Sequence, residues 1–94
     1  MTTSTKPAAL TRVQLHTLIA ISRGEVSATA PGISYDYGTW RLGGREGRAV
    51  TVPTEALIRK GYVKAGVEVV DGRVHAEATA AGHEEISRAA SRGR

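Results

Sequence analysis

The apolar positions alternate between two spacings along the chain. Leu15, Leu18, Ile19 and Ser22 fall on one side at the three-to-four spacing of a helix, with Ile21 beside them. Thr11 and Gln14 ahead of them form a T-x-x-Q capping box, in which each side chain meets an orphan backbone donor. Leu10 and Leu15 occupy the two positions of a hydrophobic staple, and Gly24 supplies a left-handed stop. Together they predict a helix over about residues 12–23.

The spacing then changes to two. Val26 and Ala28 alternate with Ser27 and Thr29. The turn signal Ala30-Pro31-Gly32 follows, and Ile33, Tyr35 and Tyr37 alternate with Ser34 and Asp36. This predicts a β-hairpin. Gly38, Gly43, Gly44 and Gly47 next surround Arg41 and Arg45, which reads as a mobile loop or a second hairpin tip.

A second, short helix is expected over 51–60. Thr51 stands at its N-cap, Pro53 in the first turn, and Arg59 and Lys60 at the negative end of its dipole. Gly61 follows as the left-handed C′ residue, and Tyr62 at C″ can pack back on Leu57. Asp71-Gly72 is a two-residue type I′ turn signal. It pairs Val70 with Arg73, Val69 with Val74, Glu68 with His75 and Val67 with Ala76. Val67, Val69, Val74 and Ala76 then share a face that should be buried. Thr79 caps a last helix with Ile86, Ala89 and Ala90 on its apolar side. The expected fold is α+β, in the order helix–hairpin–helix–hairpin–helix. Residues 10–91 form its single domain, between a flexible arm over 1–9 and a frayed basic tail over 92–94.

Composition narrows the classes. An apolar fraction of 40% is too high for a disordered chain whose net charge is only +4. With no Phe, the core must be aliphatic. With no Cys, disulfides and cysteine-based zinc sites are excluded, and a reducing cytoplasm is the expected home. No run approaches the roughly 18 apolar residues of a membrane span. Charge is distributed unevenly. Between Trp40 and Lys64, six cations stand against two carboxylates, and between Ala65 and Ser87, one cation stands against five. A basic middle beside an acidic segment suits one face to a polyanion.

Chemistry-bearing groups are sparse. His16, His75 and His83 stand apart without metal-ligand spacing. Ser22, Ser27 and Ser34 lack a nucleophile-elbow setting, and Gly43-Gly44-Arg45-Glu46-Gly47 lacks the lysine and serine of a phosphate-binding loop. Neither catalysis nor a cofactor is expected. Trp40 is read as a core anchor.

The stretch Ala56-Leu57-Ile58-Arg59-Lys60-Gly61-Tyr62-Val63 resembles the end of a winged-helix recognition helix and the start of its wing. Arg73-Val74 and Thr79-Ala80-Ala81-Gly82-His83 are similar to the second wing strand and the T-x-x-G start of the final helix. From about Val50 to Ile86 the chain resembles MarR-like and ArsR-like winged-helix regulators. It departs upstream, where residues 25–49 read as strand and glycine loop and the family places another helix. The resemblance implies a recognition helix over about 51–60 in the major groove of double-stranded DNA, and a wing over about 62–78. Thr54, Glu55, Ile58 and Arg59 would be the exposed helix positions, with Arg73 at the wing tip. Outside the family pattern, Arg41, Arg45 and Arg48 on the glycine loop are expected to follow phosphates, and Lys60 and Lys64 are expected among the nucleic-acid contacts. The function so implied is that of a transcriptional regulator or a mobile-element accessory factor, acting as a homodimer. The alternative is a protein–protein interaction module on the same scaffold.

Overall fold

The computed structural model describes residues 10–30 and 38–92. The arm over 1–9, the strand expected over 33–37 and the last two residues of the tail lie outside them. Among the described residues, three helices and five strands follow in the order α1 (Arg12–Ser22), β1 (Val26–Thr29), β2 (Arg41–Leu42), β3 (Arg48–Ala49), α2 (Thr51–Arg59), β4 (Val63–Val70), β5 (Arg73–Ala78) and α3 (Ala80–Arg92). The strands form one antiparallel sheet in the order β3-β2-β1-β5-β4. The chain is a small α+β fold with three helices on this sheet.

Helix α1 begins as its capping box requires. The Gln14 N–H donates to Thr11 Oγ1 at 3.0 Å, and the Thr11 N–H donates to Gln14 Oε1 at 3.2 Å. At its end, the Gly24 N–H donates to the Ile21 carbonyl and the Glu25 N–H to the Ala20 carbonyl, the paired bonds of a Schellman motif. Leu18 and Ile21 are buried, and each such side chain contributes about 1.5–3 kcal/mol relative to exposure.

Strand β1 lies at the centre of the sheet and is buried throughout. Val26 and Ala28 join the core with Leu18, Ile21 and Leu57. Ser27 and Thr29 point to the far face. The glycine segment resolves as the second hairpin tip: Arg41 pairs with Ala49, and Leu42 with Arg48. β1 pairs on one side with β2 and on the other with β5, so helix α2 leaves the sheet at the β3 edge and returns the chain at the β4 edge.

The second hairpin turns as expected. Asp71 and Gly72 adopt φ of 54° and 74°, and Val69 and Val70 pair with Val74 and Arg73. The register then slips. Ala65 pairs with Ala76 and Lys64 with Glu77, so Gly66, Val67 and Glu68 stand opposite His75 alone. The bulge overturns the expected Val67–Ala76 and Glu68–His75 pairs. Only Val63 of β4 is buried; Val67 is 96% exposed and Val69 54%. Among the described residues, Val67, Val69 and Val70 of this hairpin are left exposed, while Val74 packs on the core.

Thr79 joins three elements. Its hydroxyl donates to the Gly61 carbonyl at 2.7 Å and accepts from the Gly82 N–H at 3.1 Å, and its own N–H donates to the Tyr62 carbonyl at 3.0 Å. The start of α3 is thereby fastened to the end of α2. A Cβ on Gly82 would collide with the Tyr62 carbonyl oxygen, which is backbone and cannot give way. The T-x-x-G pattern therefore has a steric cause here. Ile86 packs on the core, Ala90 is exposed, and Glu85 is buried with the Arg88 guanidinium 2.6 Å away.

At an open helical site, Gly to Ala gains about 0.8–1.0 kcal/mol. Gly82→Ala is expected to do the reverse and lower the urea midpoint. Leu57→Ala, at a fully buried site, is expected to cost about 2–5 kcal/mol in the same measurement.

Candidate nucleic-acid interface

Helix α2 is secured before it begins. The Val50 N–H donates to the Trp40 carbonyl at 2.7 Å, and the Trp40 N–H donates to Thr51 Oγ1 at 3.0 Å. Thr51 is therefore not the N-cap. Val50 holds that position without a side-chain bond, and the Thr51 hydroxyl serves Trp40 from the first turn. Pro53 lies in that turn, where its missing N–H costs nothing. At the other end Gly61 has φ of 84°, and the Tyr62 N–H reaches the Leu57 carbonyl at 3.0 Å. Trp40 is a buried core residue, as read.

This clamping sets which side of α2 faces outward. Thr54 and Leu57 are fully buried, and Ile58 packs on the core. Thr54 and Ile58, expected as outward positions, belong instead to the inward stripe. Among the described residues, Thr54 Oγ1 has no hydrogen-bond partner. Val52 (77% exposed), Glu55, Arg59 and Lys60 face out. Val52 was missed as an outward residue. Spacing held the signal, since Thr54, Leu57 and Ile58 at i, i+3 and i+4 form one stripe and leave Val52, Glu55 and Arg59 on the opposite one.

The expected cations do not form one surface. Leu42 and Arg48 are cross-strand partners, and Leu42 joins the core, so Arg48 projects on the helix-bearing face. Arg41 partners Ala49 and Ser27 and therefore belongs to the far face. Its guanidinium donates to the Gly47 carbonyl at 3.0 Å and so bridges its own hairpin. Arg73 also belongs to the far face, opposite Thr29. Its Nε donates to Ser27 Oγ at 2.8 Å and its second guanidinium nitrogen to the Ser27 carbonyl at 3.1 Å. It is folded back along β1 rather than displayed at a wing tip, because the buried Ser27 needs those donors. Lys64 is exposed and lies 3.9 Å from Glu77, a pair worth about 0–1 kcal/mol. Arg45 is exposed at the glycine tip.

Two concavities flank α2 on the helix-bearing side. One, of about 580 Å³, lies between Glu55 and Trp40 and the Val69–Val74 part of the hairpin. The other, of about 380 Å³, lies between α1 and the β3–α2 corner, where Arg12, His16 and Arg48 meet Val50 and Pro53. Among the described residues no three His, Cys, Asp or Glu are grouped to hold a metal ion, and no helix is long and apolar enough to cross a membrane. Protein-family models, curated proteins and solved structures all give no match to this chain.

An unpartnered buried hydroxyl is costly, by about 1–3 kcal/mol. Thr54→Val keeps the shape and removes that group, so it is expected to raise the urea midpoint. A fall would show that the hydroxyl has a partner in solution.

Proposed function

We propose that the protein is a small DNA-binding protein that acts without catalysis, with α2 as the helix presented to the major groove. The supporting observation is the outward stripe of a helix pinned at both ends. Val52, Glu55 and Arg59 lie on one face, with Lys60 beside them. Each suits a feature of the groove. Arg59 can bond the two acceptors of a guanine, Glu55 can accept from a cytosine amino group, and Val52 can touch a thymine methyl. Lys60 supplies a phosphate contact.

The winged-helix resemblance fits this reading in part. β1 pairs with β5 beside the β4–β5 hairpin, and α2 leads directly into β4. The β2–β3 hairpin stands where that family has a helix before the recognition helix, so α2 is held by Trp40 rather than by a helical neighbour on that side. A single short helix gives a small footprint, and a homodimer on a two-fold site would supply the remainder. The reading is of a regulator or an accessory factor of a mobile element.

A protein–protein role on the same scaffold is favoured by a different observation. Val67, Val69 and Val70 are exposed along an edge strand, where unpaired backbone groups accept another strand.

Fluorescence anisotropy with labelled duplex DNA, read between about 50 and 200 mM salt, separates the two. The expected result is binding that weakens steeply with salt. Arg59→Ala lowers affinity by about tenfold or more and relaxes base preference at one position. Lys60→Ala flattens the log–log salt slope by about 0.9. Arg73→Ala lowers stability but leaves the slope unchanged. No binding at the lowest salt overturns the DNA reading.

A further inference from the structure

The cleft between α1 and the β3–α2 corner collects cations that the proposed recognition helix does not use. Arg12 and His16 are one turn apart on α1 and so share a face. Arg48 reaches the same cleft from β3, on the helix-bearing face. Three nitrogen-bearing side chains from two elements thus border one concavity of about 380 Å³, and no Asp or Glu lines it. Among the described residues, none of the three forms a hydrogen bond or ion pair. Arg41 and Arg73, by contrast, are spent on backbone and hydroxyl acceptors. Ala20, Val26, Leu42 and Val50 form an apolar floor, which lowers the local dielectric and strengthens the field of the charges above it.

From this arrangement we infer that the cleft is a binding site for a phosphate oxyanion, taken from the backbone of a duplex whose groove holds α2. The two guanidinium groups offer paired donors matched to phosphate oxygens, and the His16 ring adds an N–H. Helix α2 starts at the same place with no side-chain cap and no acid in its first turn, which adds to the field without carrying the site. Val50 lines the cleft, while Val52 two residues later faces outward. A phosphate held here would fix where the N-terminal turn of α2 enters the groove. Arg12 and His16 extend the contact surface to α1, which the sequence reading left out.

The inference rests on the DNA reading for its source of phosphate, and two measurements on the full chain keep them apart. The first titrates inorganic phosphate and follows the amide and side-chain NMR signals of His16, Arg48 and Val52. The second measures the salt slope of duplex binding. Both use the wild type, the double variant Arg12→Ala/Arg48→Ala, the conservative Arg48→Lys and, as a control elsewhere on the surface, Arg23→Ala. The three signals should move on phosphate addition, and the double variant should abolish the movement. The double variant should also weaken duplex binding about tenfold and flatten the slope by about 0.9 for the one phosphate lost. Arg48→Lys should retain most of the slope, and Arg23→Ala should match the wild type. Duplex binding with an unchanged slope and no phosphate response overturns the site and leaves the DNA reading intact. A phosphate response lost in the double variant, without duplex binding, supports the oxyanion site, assigns it to a free phosphate and overturns the DNA reading. Silence in both overturns the site and the DNA reading together.

Discussion

Everything distinctive about this fold follows from how α2 is tied at its two ends. On one side, two hydrogen bonds join Trp40 to Val50 and Thr51. On the other, Thr79 binds the Gly61 and Tyr62 carbonyls, and the bare Gly82 backbone fits against Tyr62. The helix has only nine residues, below the length at which an isolated helix is stable in water. Tertiary contacts must therefore hold it. They do so from both ends and from beneath, where Leu57 and Thr54 are fully buried. A helix held in this way cannot rotate to bring other residues outward. Its display of Val52, Glu55, Arg59 and Lys60 is a fixed property of the fold.

The helices and turns were readable because their signals are local. The Thr11–Gln14 box, Gly24, Gly61 and the Asp71-Gly72 turn each act within a few residues, and all are present as read. What failed was non-local. A two-residue turn implies an unbroken register along β4, but Gly66 interrupts it, as a glycine inside a strand often does at a bulge. That bulge leaves Val67 in solvent. The identity of Thr51 marks it as a cap, but its hydroxyl is taken by another donor. The competing donor came from Trp40, which lies 11 residues earlier and reaches it only through the β2–β3 hairpin.

Charge was the least readable feature of the candidate site. The arginines of residues 40–64 look like one cluster along the chain, but strand alternation divides them. Arg48 falls on the helix-bearing face and Arg41 on the far face, one strand pairing apart. Arg73 is drawn to Ser27, a residue 46 positions away in sequence. Density of positive charge in a sequence therefore overstates the surface available to a polyanion. What remains beside α2 is smaller and more definite: Arg59 and Lys60 on the helix, and Arg48 with Arg12 and His16 at the cleft beside its N-terminal turn.

The central claim is that the outward stripe of α2 is the surface that meets DNA. It is tested most directly by mapping amide chemical-shift changes of the isotope-labelled chain as a short duplex is added at low salt. The account predicts that the largest changes fall on Val52, Glu55, Arg59 and Lys60, with the buried Leu57 little moved. Largest changes along Val67–Val70, or on the far face around Arg41 and Arg73, would contradict it.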